Sequence, residues 1–137
     1  MKIVVEELKH LQGYEEQCDL FIALGLDGVE ITEELCVKHA QDFDWHQAAN
    51  RLLGREARTT YHLAREALDL AIVPAQEVYN LAWETRFLAR GPAIVPAQEA
   101  YNLAWEAYHP VQEAQQLAYA RAFFDATQLE DRTCSVV

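Results

Sequence analysis

Apolar and polar positions alternate with helical spacing through most of this chain, and the breaks in that pattern fall at recognisable punctuation. Near the N-terminus, Glu6–Leu11 and Tyr14–Leu24 read as helical segments. Each ends at a glycine, Gly13 and Gly25, suited to the left-handed turn that closes a helix. Val29-Glu30-Ile31 alternates with a period of two and reads as a short strand, with Lys2–Val5 as its pairing partner. Thr32 then caps a helix whose first turn carries Glu33 and Glu34, where the helix dipole favours negative charge. Asp44 followed by Gln47 opens another helix, Trp45–Leu53, which stops at Gly54. A further helix over about 55–70 leads into the second half.

That half contains a duplication. Ala71–Glu84 reads AIVPAQEVYNLAWE and Ala93–Glu106 reads AIVPAQEAYNLAWE, with Val78 against Ala100 the single difference, at an offset of 22 residues. Such an offset is close to six helical turns, as 11 residues are close to three. The shorter phrase Glu-x-x-x-Leu-Ala recurs at Glu66–Ala71, Glu77–Ala82, Glu99–Ala104 and Glu113–Ala118. Aromatic pairs four residues apart accompany it: Tyr79/Trp83, Tyr101/Trp105 and Tyr119/Phe123. Residues so spaced share a helix face. Each unit therefore carries an aromatic stripe, read first as core holding helices together and second as an exposed partner-binding surface.

Proline sets the expected boundaries. Pro74, Pro96 and Pro110 each precede an Ala/Gln/Glu-rich run. Proline is tolerated in a first turn and breaks or kinks a helix interior. Gly91-Pro92 is the clearest break. The pattern predicts helices near 74–89, 93–108 and 110–127 folding back as hairpins, against a rival reading as one long kinked rod. The fold class expected is mainly α: a helical bundle with a duplicated C-terminal helical unit and a minor β-ribbon near the N-terminus. One domain over 1–137 is expected, divided into an acidic short-helix region (1–54), a repeat region (55–130) and a tail (131–137).

Charge adds a second theme. The chain carries −11, and residues 1–50 hold 11 acidic against 3 basic side chains, leaving −8 there. Between Arg51 and Arg65 the sign reverses, with four arginines against Glu56. An excess of carboxylates excludes direct nucleic-acid binding, which needs clustered Lys and Arg, and suits a basic protein partner. The alternative is that surplus carboxylates serve solubility. Glu15, Glu16, Asp19, Glu30, Glu33, Glu34, Asp42 and Asp44 are the candidate partner-binding residues, and Tyr79, Trp83, Tyr101 and Trp105 the candidate aromatic core or interface. No apolar run approaches the 18 residues of a membrane span, and the start lacks a signal-peptide pattern. Three cysteines, Cys18, Cys36 and Cys134, suit a reducing cytoplasm.

Candidate chemistry is sparse. Cys36-x-x-His39 with Cys18 and His46 supplies zinc-type ligands, yet the first two share one expected helix and no second tight pair follows. Asp42, Asp44 and His46 alternate, which reads more simply as a turn and a helix cap. No phosphate loop, nucleophile elbow or HExxH motif is present, and His62 and His109 lack an acid partner in sequence. No cofactor, metal or enzymatic activity is expected.

The segment Asp44-Trp45-x-x-Ala48-Ala49-x-x-Leu52-Leu53, followed by Ala/Tyr/Glu-rich repeats with regular prolines, resembles a group of small phage and prophage proteins. In that group a D-W-x-x-A-A-x-x-L-L segment precedes repeats of an A-P-A-x-x-E-Y type. Here the repeats instead read VPAQE(V/A)Y at Val73–Tyr79 and Val95–Tyr101. The resemblance implies a phage accessory protein acting in the host bacterial cytoplasm. By analogy with other small acidic phage proteins it implies an anti-CRISPR-like inhibitor of host defence, whose partner is a host protein or ribonucleoprotein with a basic surface. The alternative expectation is a homo-oligomeric helical scaffold, with a homodimer as the simplest form.

Overall fold

A computed structural model describes residues 1–8 and 15–135, with side chains described to residue 129. Gly13, and with it the expected end of the first helical segment, lies outside the described residues. Among the described residues six helices account for the architecture. They are α1 (Val5–Leu8), α2 (Glu15–Ala23), α3 (Glu33–Lys38), α4 (Trp45–Leu52), α5 (Arg55–Leu88) and α6 (Ile94–Ser135), with a 3-10 turn at Gly91–Ala93 between the last two.

Three of the four short helices, α1, α3 and α4, begin where side chains satisfy their free N–H groups. Asp27 Oδ1 accepts from Val5 N at 2.9 Å, holding α1 from across the fold. Thr32 Oγ1 accepts from Leu35 N, and Asp44 Oδ1 accepts from Gln47 N, as the sequence predicts. Gly25 closes α2 at φ +72°, a left-handed conformation that costs glycine nothing. The stop expected at Gly54 is found, and the glycine takes a second part as well. It is extended (φ −68°, ψ 173°) and forms the N-cap of α5, while α4 ends at an extended Leu53. The β-ribbon reduces to one antiparallel bridge, Lys2 with Glu30, flanked by Gly28 N to Ile3 O and Ile31 N to Met1 O hydrogen bonds.

The long helices correct the proline reading. Pro74 lies inside α5 and Pro110 inside α6, so no helix starts at either. The segments expected near 93–108 and 110–127 form one helix. Both prolines are exposed, so the carbonyls they leave unpartnered, those of Leu70 and Glu106, lie on the solvent side, where water can bond them. The chain reverses only at 89–93, where Gly91 takes φ +59°. Pro96 falls in the first turn of α6, where its missing N–H costs no helical bond. The result is a two-helix hairpin.

The core occupies one end of that hairpin. Every helix contributes to a single cluster that includes Val5, Phe21, Cys36, Trp45, Ala49, Tyr61, Ala120 and Phe123. Trp45 sits at its centre, 5.7 Å from the Phe43 ring and 5.4 Å from Phe123, and donates its indole N–H to Ala40 O at 2.8 Å. A small cavity of about 50 Å³ lies beside it, lined by Phe21, Leu26, Ile31, Cys36 and Trp45. Between residues 62 and 118 only Ile72 and Ala97 are buried. The distal half of the hairpin, which is the duplicated segment, therefore stands out from the core as an arm.

Candidate interaction surface

The arm is built on the repeat, and its two copies pack antiparallel across an internal twofold. Tyr79 and its copy Tyr101 face each other, their hydroxyls 3.1 Å apart, and that hydrogen bond raises the Tyr79 pKa. On either side the next pair is again equivalent by the 22-residue offset. Tyr108 stacks on Tyr79 at 4.9 Å, and Arg86 sits 4.4 Å over the Tyr101 ring. Inward positions recur at spacings of three and four: Ala75, Tyr79 and Ala82 on α5, with Ala97, Tyr101 and Ala104 on α6. This is a narrow coiled-coil-like seam, and small alanines alternating with tyrosines fill it.

A seam this narrow leaves most of the repeat's apolar side chains in water. Leu70, Val78, Leu81, Phe87, Leu88, Val95 and Leu103 are each more than 60% exposed. Trp83 and Trp105 are 47% and 41% exposed. Expecting the whole aromatic stripe to be core is thus half corrected. Tyr79 and Tyr101 pack inward, whereas the tryptophans four residues on lie to one side. The seam steps four residues and then three, to Ala82 and Ala104, so a second step of four drifts about 80° off it. Trp83 stacks on Phe87 at 5.5 Å, Trp105 packs at a tilt against His109 at 4.5 Å, and these two pairs are also related by the repeat. The third pair, Tyr119 and Phe123, is buried.

The acidic candidates divide by local role. Glu30 Oε1 binds the N-terminal ammonium at 2.6 Å, Asp42 pairs with His39 Nδ1 at 2.9 Å, and Asp44 caps α4. These three have structural work. Glu15, Glu16 and Asp19 on α2, with Glu33 and Glu34 in the first turn of α3, are exposed. All eight are exposed, and five of them lie on α2 and α3 at the core end, away from the arm.

Among the described residues no group of three or more His, Cys, Asp or Glu side chains is placed to hold a metal. Cys36 and Cys18 are both buried. Burial pushes the Cys36 thiol up to about 12 and raises that of Cys18, so neither is a ready thiolate. No helix among the described residues is long and apolar enough to cross a membrane.

One polar cluster escaped the sequence reading. The Tyr61 hydroxyl lies 2.7 Å from His46 Nδ1, and the His46 ring packs edge-on against Tyr119 at 4.5 Å. The Tyr119 hydroxyl donates to Asp69 Oδ1, which also receives Gln115 Nε2 at 3.2 Å. Arg65 Nε approaches the other Asp69 oxygen at 3.4 Å. Burial raises both tyrosine pKa values and lowers that of His46, with Arg65 lowering it further against the opposing carboxylates of Asp44 and Asp69. These residues come from three helices, and nothing in their sequence spacing announces that they meet. The arrangement ties α4 to the hairpin.

The cluster carries a pH signature. His46 has a folded pKa below its ordinary 6.5, so the native state resists protonation that the unfolded chain accepts. Its contribution is present above pH 6.5 and is lost as pH falls through the lowered native value. Urea midpoints are expected to drop between about pH 7 and 5, before carboxylates titrate. A His46→Phe variant is expected to show a flatter profile there. Identical profiles for the two proteins would remove His46 as the cause.

Compared with known protein families, with curated proteins and with solved structures, the chain shows no match.

Proposed function

We propose that this protein works by binding another protein and not by catalysis, as a phage-type inhibitor of a host defence complex. Its partner is a basic, nucleic-acid-binding surface, and the site of action is the host cytoplasm. The observation that carries this reading is the set of exposed carboxylates, Glu15, Glu16, Asp19, Glu33 and Glu34, gathered on two short helices of a chain with net charge −11. Carboxylates spaced along helix surfaces present fixed negative charge to a groove that otherwise holds phosphates. The small rigid core behind them sets their positions. The phage resemblance of the 44–53 segment agrees with this reading.

The test removes charge without disturbing the fold. Changing all five residues to Gln keeps the helix turns and spares Glu30, Asp42 and Asp44, which have structural partners. Capture of a basic host complex is expected to weaken by about tenfold or more, with unchanged far-UV circular dichroism. Wild-type capture should also weaken as salt rises. Capture that survives both the five-fold substitution and high salt rules out the acidic surface as the recognition element.

A further inference from the structure

The acidic helices leave the arm unexplained, and the arm carries the larger anomaly. A soluble chain rarely exposes a continuous apolar patch beyond a few hundred Å². From the inward position of Tyr79, about 100° of rotation per residue places Val73, Trp83 and Phe87 on one broad face of the hairpin. The internal twofold runs normal to that face, so Val95 and Trp105 lie on the same side. These five residues are between 38% and 66% exposed.

We infer that this aromatic face of the arm binds a second copy of the same chain, giving a four-helix homodimer whose acidic core ends stay free. Three observations select that occupant. First, the face is pseudo-symmetric about its own twofold. A contact made by Trp83 is repeated by Trp105, so two copies meet through quasi-equivalent contacts that close without leaving a sticky edge. Second, no carboxylate lies at its centre. The same rotation puts Glu77, Glu84, Glu99 and Glu106 on the outer edges of the hairpin, while Gln76, Asn80, Gln98 and Asn102 interleave with the rings. Two chains of charge −11 repel almost everywhere else, and a basic partner would find nothing to neutralise on this face. Third, the area is sufficient. The five apolar side chains and the interleaved amides leave on the order of 800 Å² open, the per-partner share of a standard interface.

Sedimentation velocity over a range of micromolar concentrations tests this, with salt as a second variable. The wild-type chain is expected at twice its monomer mass, with association unchanged or strengthened by salt. Trp83→Glu with Trp105→Glu should weaken it at least a hundredfold while leaving helicity intact, since both rings are half-exposed in the single chain. Val78→Glu with Ala100→Glu, on the opposite broad face, should leave the dimer in place and controls for damage to the hairpin. A monomer at every concentration overturns the inference. So does a dimer indifferent to the tryptophan substitutions, or a monomer that binds only a host protein through the same rings. The five Gln substitutions that test the acidic surface do not touch this face, so the two readings fail separately.

Discussion

Trp45→Ala is expected to lower the folding free energy by about 3–5 kcal/mol, whereas Trp83→Ala and Trp105→Ala should each cost less than about 1 kcal/mol in the isolated chain. The contrast follows from position. Trp45 is 5% exposed, packed between Phe43 and Phe123, and supplies the N–H that satisfies the Ala40 carbonyl. Its removal opens a void next to an existing cavity of about 50 Å³ and strands a buried acceptor. A chain of ordinary stability, about 5–15 kcal/mol, would lose a large part of its margin. Trp83 and Trp105 stay 47% and 41% exposed on the side of the arm, so truncating either opens no enclosed void and strands no buried partner. Urea unfolding followed by circular dichroism, at concentrations low enough to prevent association, measures all three. Equal costs would mean that the arm packs as a true core and that its exposure is not available for binding.

The second large effect comes from proline. Pro74→Ala and Pro110→Ala are each expected to raise stability by about 1–3 kcal/mol, partly offset by the greater freedom of the unfolded chain. Each substitution restores a helical hydrogen bond, to the carbonyl of Leu70 or of Glu106, and removes the clash between the proline ring and that turn. The contacts of Tyr79 with Tyr101 and of Asp69 with Tyr119 set the register of the hairpin. That register puts Pro74 level with Pro110. Both helices therefore lack a hydrogen bond at the same height, where the arm leaves the core. The double variant should resist hydrogen exchange most around residues 68–76 and 106–114. Destabilisation by either substitution would show that the ring packs against something the hairpin needs.

The same level marks how far adjacent residues by themselves specify this fold. Helix caps at Thr32 and Asp44, the turn at Gly25 and the reversal at Gly91-Pro92 were legible because each depends on a few adjacent residues. Pro74 and Pro110 depart from the local rule for the complementary reason. Local chemistry says that proline ends a helix, and about 3 kcal/mol per site is outweighed when seam packing continues on both sides and the proline faces water. Gly54 is legible as the stop of α4 and serves also as the cap of α5, since a glycine between two helices can do both.

The candidate surfaces divide along the same line. Net charge and its concentration in the first 50 residues were readable as composition. Which carboxylates are occupied was not, because Glu30 meets the N-terminus and Asp27 caps α1 only across the fold. His46, Tyr61, Asp69 and Tyr119 converge from three helices over a span of 73 positions, and no local pattern predicts that meeting.

By itself the sequence determined that this protein is helical, that its second half is a duplication reversing at Gly91-Pro92, and that its charge lies in its first third. Those properties follow from spacing and composition, which act locally. Only the tertiary structure decided that the core gathers at one end of a two-helix hairpin, so that the repeat becomes an exposed arm. Whether a helical stripe is core or surface depends on how wide a seam its neighbour covers. Here one partner helix covers a line of alanines and tyrosines and leaves the tryptophans outside.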